Sequence, residues 1–88
     1  RYADVFFFSC TGFSTDHGTS ETNEESVELK KAMYQNAAKK ILLCDHTKMG
    51  LVYSYKCFSS NEIDMIITDR KPQEEIMKNM PSNLALVY

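Results

Sequence analysis

The stretch Ile41-Leu42-Leu43-Cys44-Asp45-His46-Thr47-Lys48-Met49-Gly50 decides how this chain reads. A short apolar run stops at an acid, and a Lys and a Gly follow at once. Such a run reads as a buried strand. Its carboxyl end then carries two opposite charges. In open α/β sheets, ligands bind outside the carboxyl ends of the strands. An Asp there accepts from sugar hydroxyls, and a Lys meets phosphate as a point charge. Asp45 and Lys48 therefore point to a small, polar, anionic ligand. The competing reading makes Asp45 a turn or helix cap and Lys48 a solvated surface charge.

Working outward, Tyr2 to Cys10 reads as another buried strand, rich in aromatics. Thr11 to Asn23 reads as a long polar loop, of a length that is more often functional than idle. Thr22-x-x-Glu25 resembles a capping box, with Asn23 as a competing cap. Glu24 and Glu25 then fall in the first helical turn, where the helix dipole favours anions. The helix is expected to run to about Lys39, with Leu29, Ala32, Met33 and Ala37 as its apolar stripe and Lys39-Lys40 at its end. Beyond the central segment, Leu51 to Phe58 and Ile63 to Thr68 read as strands, the second ending at Asp69. Ser59 to Glu62 can begin one short helical turn, Pro72 stands at a helix start, and Leu84 to Val87 is the last strand. Strands alternating with helices predict a Rossmann-like open, mainly parallel α/β sheet with flanking helices and right-handed crossovers. Most of the five Tyr and five Phe are expected in the core.

The 88 residues suffice for one small domain. The hydrophobic (43%) and charged (25%) fractions are those of an ordinary globular protein, and the net charge of −2 argues against a nucleic-acid-binding surface within these residues. No apolar run approaches the length of a membrane span. Cys10, Cys44 and Cys57 lack metal-ligand spacing and read as buried free thiols of a reducing cytoplasm. The first residue is Arg1, and Val5-Phe6-Phe7-Phe8 is already strand core. A strand apolar on both faces needs layers on both sides. Few elements here can supply them, so the chain is expected to be the second half of a larger domain.

Three polar groups emerge at strand ends: Thr11-Gly12, Asp45 with Lys48, and Asp69. If the strands are neighbours, these converge on one rim. Asp69, beside Arg70 and Lys71, reads rather as a strand terminator. Asp16-His17-Gly18 offers an Asp beside a His for proton transfer, against the plainer reading of a polar loop tip. Glu25 and Lys30 can reach the pocket from the first helix turns, though such residues are commonly caps and solvated faces. No dinucleotide fingerprint, phosphate loop, serine-nucleophile elbow or zinc spacing is present, so no cofactor or metal is implied.

The chain resembles the effector-sensing domain of the DeoR family of bacterial transcriptional repressors. The resemblance runs through Asp4-Val5-Phe6-Phe7, Gly12-Phe13, Gly18, Leu29-Lys30-Lys31-Ala32-Met33 and the whole of Ile41 to Gly50. It closes with Asn61-Glu62-Ile63-Asp64 and Ile66-Ile67-Thr68-Asp69. It implies a fold shared with ribose-5-phosphate isomerase, glucosamine-6-phosphate deaminase and the CoA transferases, kept as a sensor of a phosphorylated sugar and not as an enzyme. It also implies an amino-terminal winged helix-turn-helix that binds DNA and a first sensor half with a phosphate-binding loop, neither within this sequence. A cytoplasmic homo-oligomer is expected, because symmetric repressors read paired half-sites.

Carried over by position, Asp45 and Lys48 match the family's strand-end Asp and Lys. Thr11 and Gly12 take the strand-end turn facing the pocket. Asp16-His17 lies where the related deaminases carry Asp-Gly-His. Here no Gly separates the two, which argues against deaminase chemistry. The family's helical Glu falls at Ser26, with Glu25 one step earlier. The candidate effector contacts are therefore Thr11, Gly12, Asp16, Glu25, Lys30, Asp45 and Lys48. The alternative is a sugar-phosphate isomerase or deaminase using Asp16, His17 or Glu25 as acid and base. A response-regulator-like or flavodoxin-like domain is the third reading.

Overall fold

Two sheets share one core. The computed structural model describes residues 3–88, with side chains from Val5 onward. The elements are β1 (Ala3–Ser9), β2 (Gly12–Ser14), β3 (Gly18–Glu21), α1 (Glu24–Tyr34), β4 (Ala37–Leu43), β5 (Tyr55–Lys56), β6 (Met65–Ile67), α2 (Glu74–Lys78) and β7 (Ala85–Val87). Single 3-10 turns stand at His46–Lys48 and Ser60–Glu62. The larger sheet has the order β1-β4-β6-β7 and is wholly parallel, as expected of a Rossmann-like α/β fold. Tyr2, the expected start of the first strand, lies outside the described residues.

Several expected boundaries are corrected. The stretch from Thr11 to Asn23 is not a loop. It contains the β2–β3 hairpin, which pairs antiparallel with β5 in a second, three-stranded sheet. All four residues of β3, Gly18-Thr19-Ser20-Glu21, are buried despite their polarity. Their hydrogen-bonding groups find partners: Thr19 N–H donates to Phe58 O at 2.8 Å, and Phe58 N–H donates to Thr19 Oγ1 at 3.0 Å. Of the expected strand from Leu51 to Phe58, only Tyr55–Lys56 pairs, and it does so with β3.

Helix α1 stops at Tyr34, so Ala37, Lys39 and Lys40 belong to β4 and not to the helix. Strand pairing overrides the basic helix end. Ala37 stands opposite Ala3 and Lys39 opposite Val5, while the Lys40 N–H donates to Asp64 Oδ2 at 2.8 Å. The expected apolar stripe is also displaced: Leu29 and Met33 are more than half exposed, and Val27 is the buried residue of α1. Of the two caps in competition, Asn23 wins, its side chain accepting from Ser26 N–H at 2.8 Å. The second helix is one short turn starting at Glu74, two residues beyond the expected start at Pro72, with Gln73 as its cap.

One face of the parallel sheet is covered. Phe6, Phe8 and Cys10 of the first strand and its end, with Leu42, Cys44 and Ile66, pack there against Val27, Phe13, Phe58 and Ile63. Phe58 joins the layers, lying edge-on to Phe8 at 5.1 Å and stacked on Tyr34 at 4.6 Å. Among the described residues, the other face lacks such a layer: its central side chains Ile41, Met65 and Ile67 are only half-buried. Side chains alternate across a strand, and register aligns Phe7, Ile41, Met65 and Ala85 in one row and Ser9, Leu43, Ile67 and Val87 in the next. Phe7, Leu43 and Val87 of these rows are exposed. The aromatic residues therefore divide: Phe6, Phe8, Phe13 and Phe58 are core, while Phe7, Tyr53, Tyr55 and Tyr88 face outward.

Candidate functional site

Parallel strands bring their carboxyl ends to one rim, and three polar clusters stand there. The first follows β1. Thr11 Oγ1 donates to Glu21 Oε1 at 3.0 Å, and Lys30 Nζ donates to Glu21 Oε2 at 2.9 Å and to the Ser9 carbonyl at 2.6 Å. Glu21 is 4% exposed, so this is a buried carboxylate paired and hydrogen-bonded on both oxygens. It ties the end of β1 to β3 and α1. Two sequence candidates, Thr11 and Lys30, thus meet through a residue the sequence reading passed over.

The second cluster follows β4. Asp45 caps the 3-10 turn His46–Lys48, accepting from Thr47 N–H at 2.9 Å and from the Thr47 hydroxyl. The Thr47 hydroxyl bond, foremost among these, holds the Asp45 carboxyl below the ordinary carboxylate range. Lys48 Nζ stands 3.9 Å from Asp45 Oδ2, a loose ion pair of half-exposed groups. The segment is anchored to the hairpin, because Gly50 N–H donates to Phe13 O at 2.7 Å. Gly12, read as a ligand contact, is buried against this segment. A Cβ on it would lie 2.5 Å from the Leu51 carbonyl oxygen, so its bareness permits close packing.

The third cluster joins β4 to β6. Asp69 Oδ1 accepts from His46 N–H at 2.7 Å, and its Oδ2 pairs with His46 Nδ1 at 2.7 Å. These two bonds, the side-chain one first, bring the Asp69 carboxyl down to about 2. Asp69 is therefore more than a strand terminator: it orients the His46 ring. The sequence did carry a signal for this. Both apolar runs, Ile41–Cys44 and Ile63–Thr68, end in an acid, and parallel neighbours place such ends side by side.

A groove of about 400 Å³ opens between these strand ends, lined by Leu43, Cys44, Asp45, Ile67, Thr68 and Asp69. Beyond His46 lies a cavity of about 240 Å³, whose lining includes Met49, Arg70, Lys71 and Ile76. One compartment is acidic and its neighbour basic. Asp16 and Glu25 do not join them. Asp16 is exposed at the hairpin tip, where His17 bonds to Ser14, and Glu25 is exposed in the first turn of α1. Among the described residues, no group of three or more His, Cys, Asp and Glu could hold a metal ion, and no helix is long and apolar enough to cross a membrane.

A family model described as the DeoR C-terminal sensor domain matches residues 2–70. The chain belongs to the DeoR C-terminal sensor domain family. The match spans β1 to β6 and all three rim clusters, through Asp69. The chain is 34% identical over 77 residues to the HTH-type transcriptional regulator GolR of Listeria innocua, covering 88% of this chain and 30% of that protein. To the HTH-type transcriptional repressor GlcR of Bacillus subtilis it is 37% identical over 73 residues, covering 83% of this chain and 28% of that protein. To the deoxyribose operon repressor of Escherichia coli it is 28% identical over 75 residues, covering 85% and 30%. The chain thus spans about a third of the length of these relatives. As a DeoR sensor domain, it is of the kind found in transcriptional regulators.

Proposed function

We propose that this DeoR domain senses a phosphorylated sugar at the carboxyl rim of its parallel sheet. Binding would modulate the DNA affinity of a winged helix-turn-helix elsewhere in the full protein. The observation that carries the reading is the division of the rim into an acid-lined groove and a cation-lined cavity. Asp45 and Asp69 of the groove suit hydroxyl groups, Arg70 and Lys71 of the cavity suit a phosphate, and Lys48, which lines neither, stands beside Asp45 as a further cation. The effector alters DNA binding only if it binds two states of the sensor differently.

The alternative of an isomerase or deaminase draws no support from the geometry. Asp16, His17 and Glu25 make no hydrogen bond to the groove-lining residues among the described residues. The uncovered apolar sheet face, in turn, supports the reading of this chain as the second half of a larger sensor domain whose first half supplies the missing layer.

The test is a thermal-shift screen of the full-length regulator against phosphorylated and unphosphorylated sugars. One sugar phosphate is expected to raise the melting temperature selectively, and Lys48→Ala to abolish the rise while operator binding persists. An unchanged melting temperature across a broad panel would remove sugar phosphates as the ligand class.

A further inference from the structure

Two of the three cysteines stand face to face immediately inside the rim. Ser9 of β1 is the register partner of Leu43 of β4, so the next residues, Cys10 and Cys44, are neighbours across the pair. Both point to the covered face, in series with Phe6 and Phe8 on one strand and Leu42 on the other. Their sulfurs are 4.0 Å apart, and both side chains are buried and free. A disulfide needs Cα atoms about 4.4–6.8 Å apart. Adjacent strands lie about 4.7–4.9 Å apart, a spacing inside that range.

We propose that Cys10 and Cys44 form a peroxide-oxidisable dithiol that closes to a disulfide linking the ends of β1 and β4. Cys44 is the attacking thiol: though only 2% exposed, it borders the groove between the strand ends, whereas Cys10 does not. Hydrogen peroxide, little larger than water, would have to reach it from that groove. The sulfur-to-sulfur hydrogen bond also favours this order: Cys10, as donor, has its thiol pushed up, and Cys44, as acceptor, is held below the ordinary thiol value. The Cys44 thiolate attacks one peroxide oxygen and breaks the O–O bond. This leaves a sulfenic acid on Cys44 and a hydroxide that takes up the proton lost from the thiol. The Cys10 sulfur then attacks the sulfenic sulfur, and its proton leaves with the displaced oxygen as water. Two thiols lose two electrons, and one peroxide becomes two waters.

Cys57 is the internal control. It is buried, burial pushes its thiol up, and among the described residues no hydrogen bond joins its sulfur to the other two.

The experiment treats the native full-length regulator with hydrogen peroxide, unfolds it in the presence of an alkylating agent, and maps its peptides by mass. The expected product is a Cys10–Cys44 linked peptide lighter by two hydrogens, restored by dithiothreitol, with Cys57 alkylated. In Cys10→Ser the reaction stops at a sulfenic acid on Cys44, captured by dimedone. The wild-type map stands by itself if that variant does not fold. Oxidation of Cys57 ahead of the pair would overturn the proposal. So would a Cys10–Cys44 link that forms only in urea. The readout needs no effector, so its outcome is separate from that of the sugar-phosphate screen.

Discussion

Asp69 shows how far one neighbour governs a rim carboxylate. Its folded value near 2 lies below the ordinary 3.8. A depressed carboxylate contributes stability that is present above the unfolded value and is lost as pH falls through the folded one. The window is therefore below about pH 4, and neutral pH leaves the Asp69 charge untouched. Carbon-detected titration of the Asp69 carboxyl is expected to give a midpoint near 2. In His46→Ala, which keeps the backbone N–H bond, the midpoint should move part of the way back towards 3.8, and an unmoved midpoint would mean that the His46 ring is not its main cause. Glu21 belongs to the same scale. Replacing it with Ala strands the Lys30 ammonium and the Thr11 hydroxyl beneath the rim. Removing one partner of a buried pair costs about 3–5 kcal/mol; with the Lys30 side chain one-fifth exposed, about 3 kcal/mol is expected in urea unfolding.

At the scale of elements, the β2–β3 hairpin depends on Gly18. Its φ is +72°, and a Cβ there would overlap the Phe58 carbonyl oxygen. Gly18→Ala should therefore cost more than about 2 kcal/mol, the left-handed penalty plus the displacement of Phe58. Gly50 also has positive φ but faces open space, so its alanine variant should lose only the backbone share, and the two variants compared in urea separate strain from overlap. The hairpin is also where sequence reading failed, for a physical reason. The strands of the parallel sheet announce themselves as apolar runs, because burial on the core side selects Phe, Leu and Ile. The residues Gly18-Thr19-Ser20-Glu21 are buried equally well, but their burial rests on hydrogen bonds to Phe58 and Lys30, which leave no hydrophobic trace. Asp45 and Lys48 were legible because they punctuate an apolar run. Asp69 was legible in the same way, as the acid that ends the neighbouring run, but its bond to His46 was not, nor was the role of Glu21, because their partners lie 23 and 9 residues away.

At the scale of the whole molecule, the uncovered sheet face sets behaviour. Contiguous apolar surface of this kind marks a place where something else packs. This 88-residue chain alone is expected to bind an apolar fluorescent dye more strongly, per molecule, than the full-length regulator does. Phe7→Glu should lower that binding in the short chain, since Phe7 is 56% exposed on the edge strand β1 of that face. Equal dye binding by the two lengths would mean that the face stays open in the intact protein.

The cap at Asp45 ties recognition to movement. The oxygen that secures the turn at Thr47 belongs to the same carboxylate that a ligand hydroxyl would seek. A ligand that drew Asp45 off Thr47 would release the first turn after β4, and Lys48 rides on that turn. The grip on the ligand and the loosening of the backbone would then be a single event, so affinity would depend on how readily three residues uncoil.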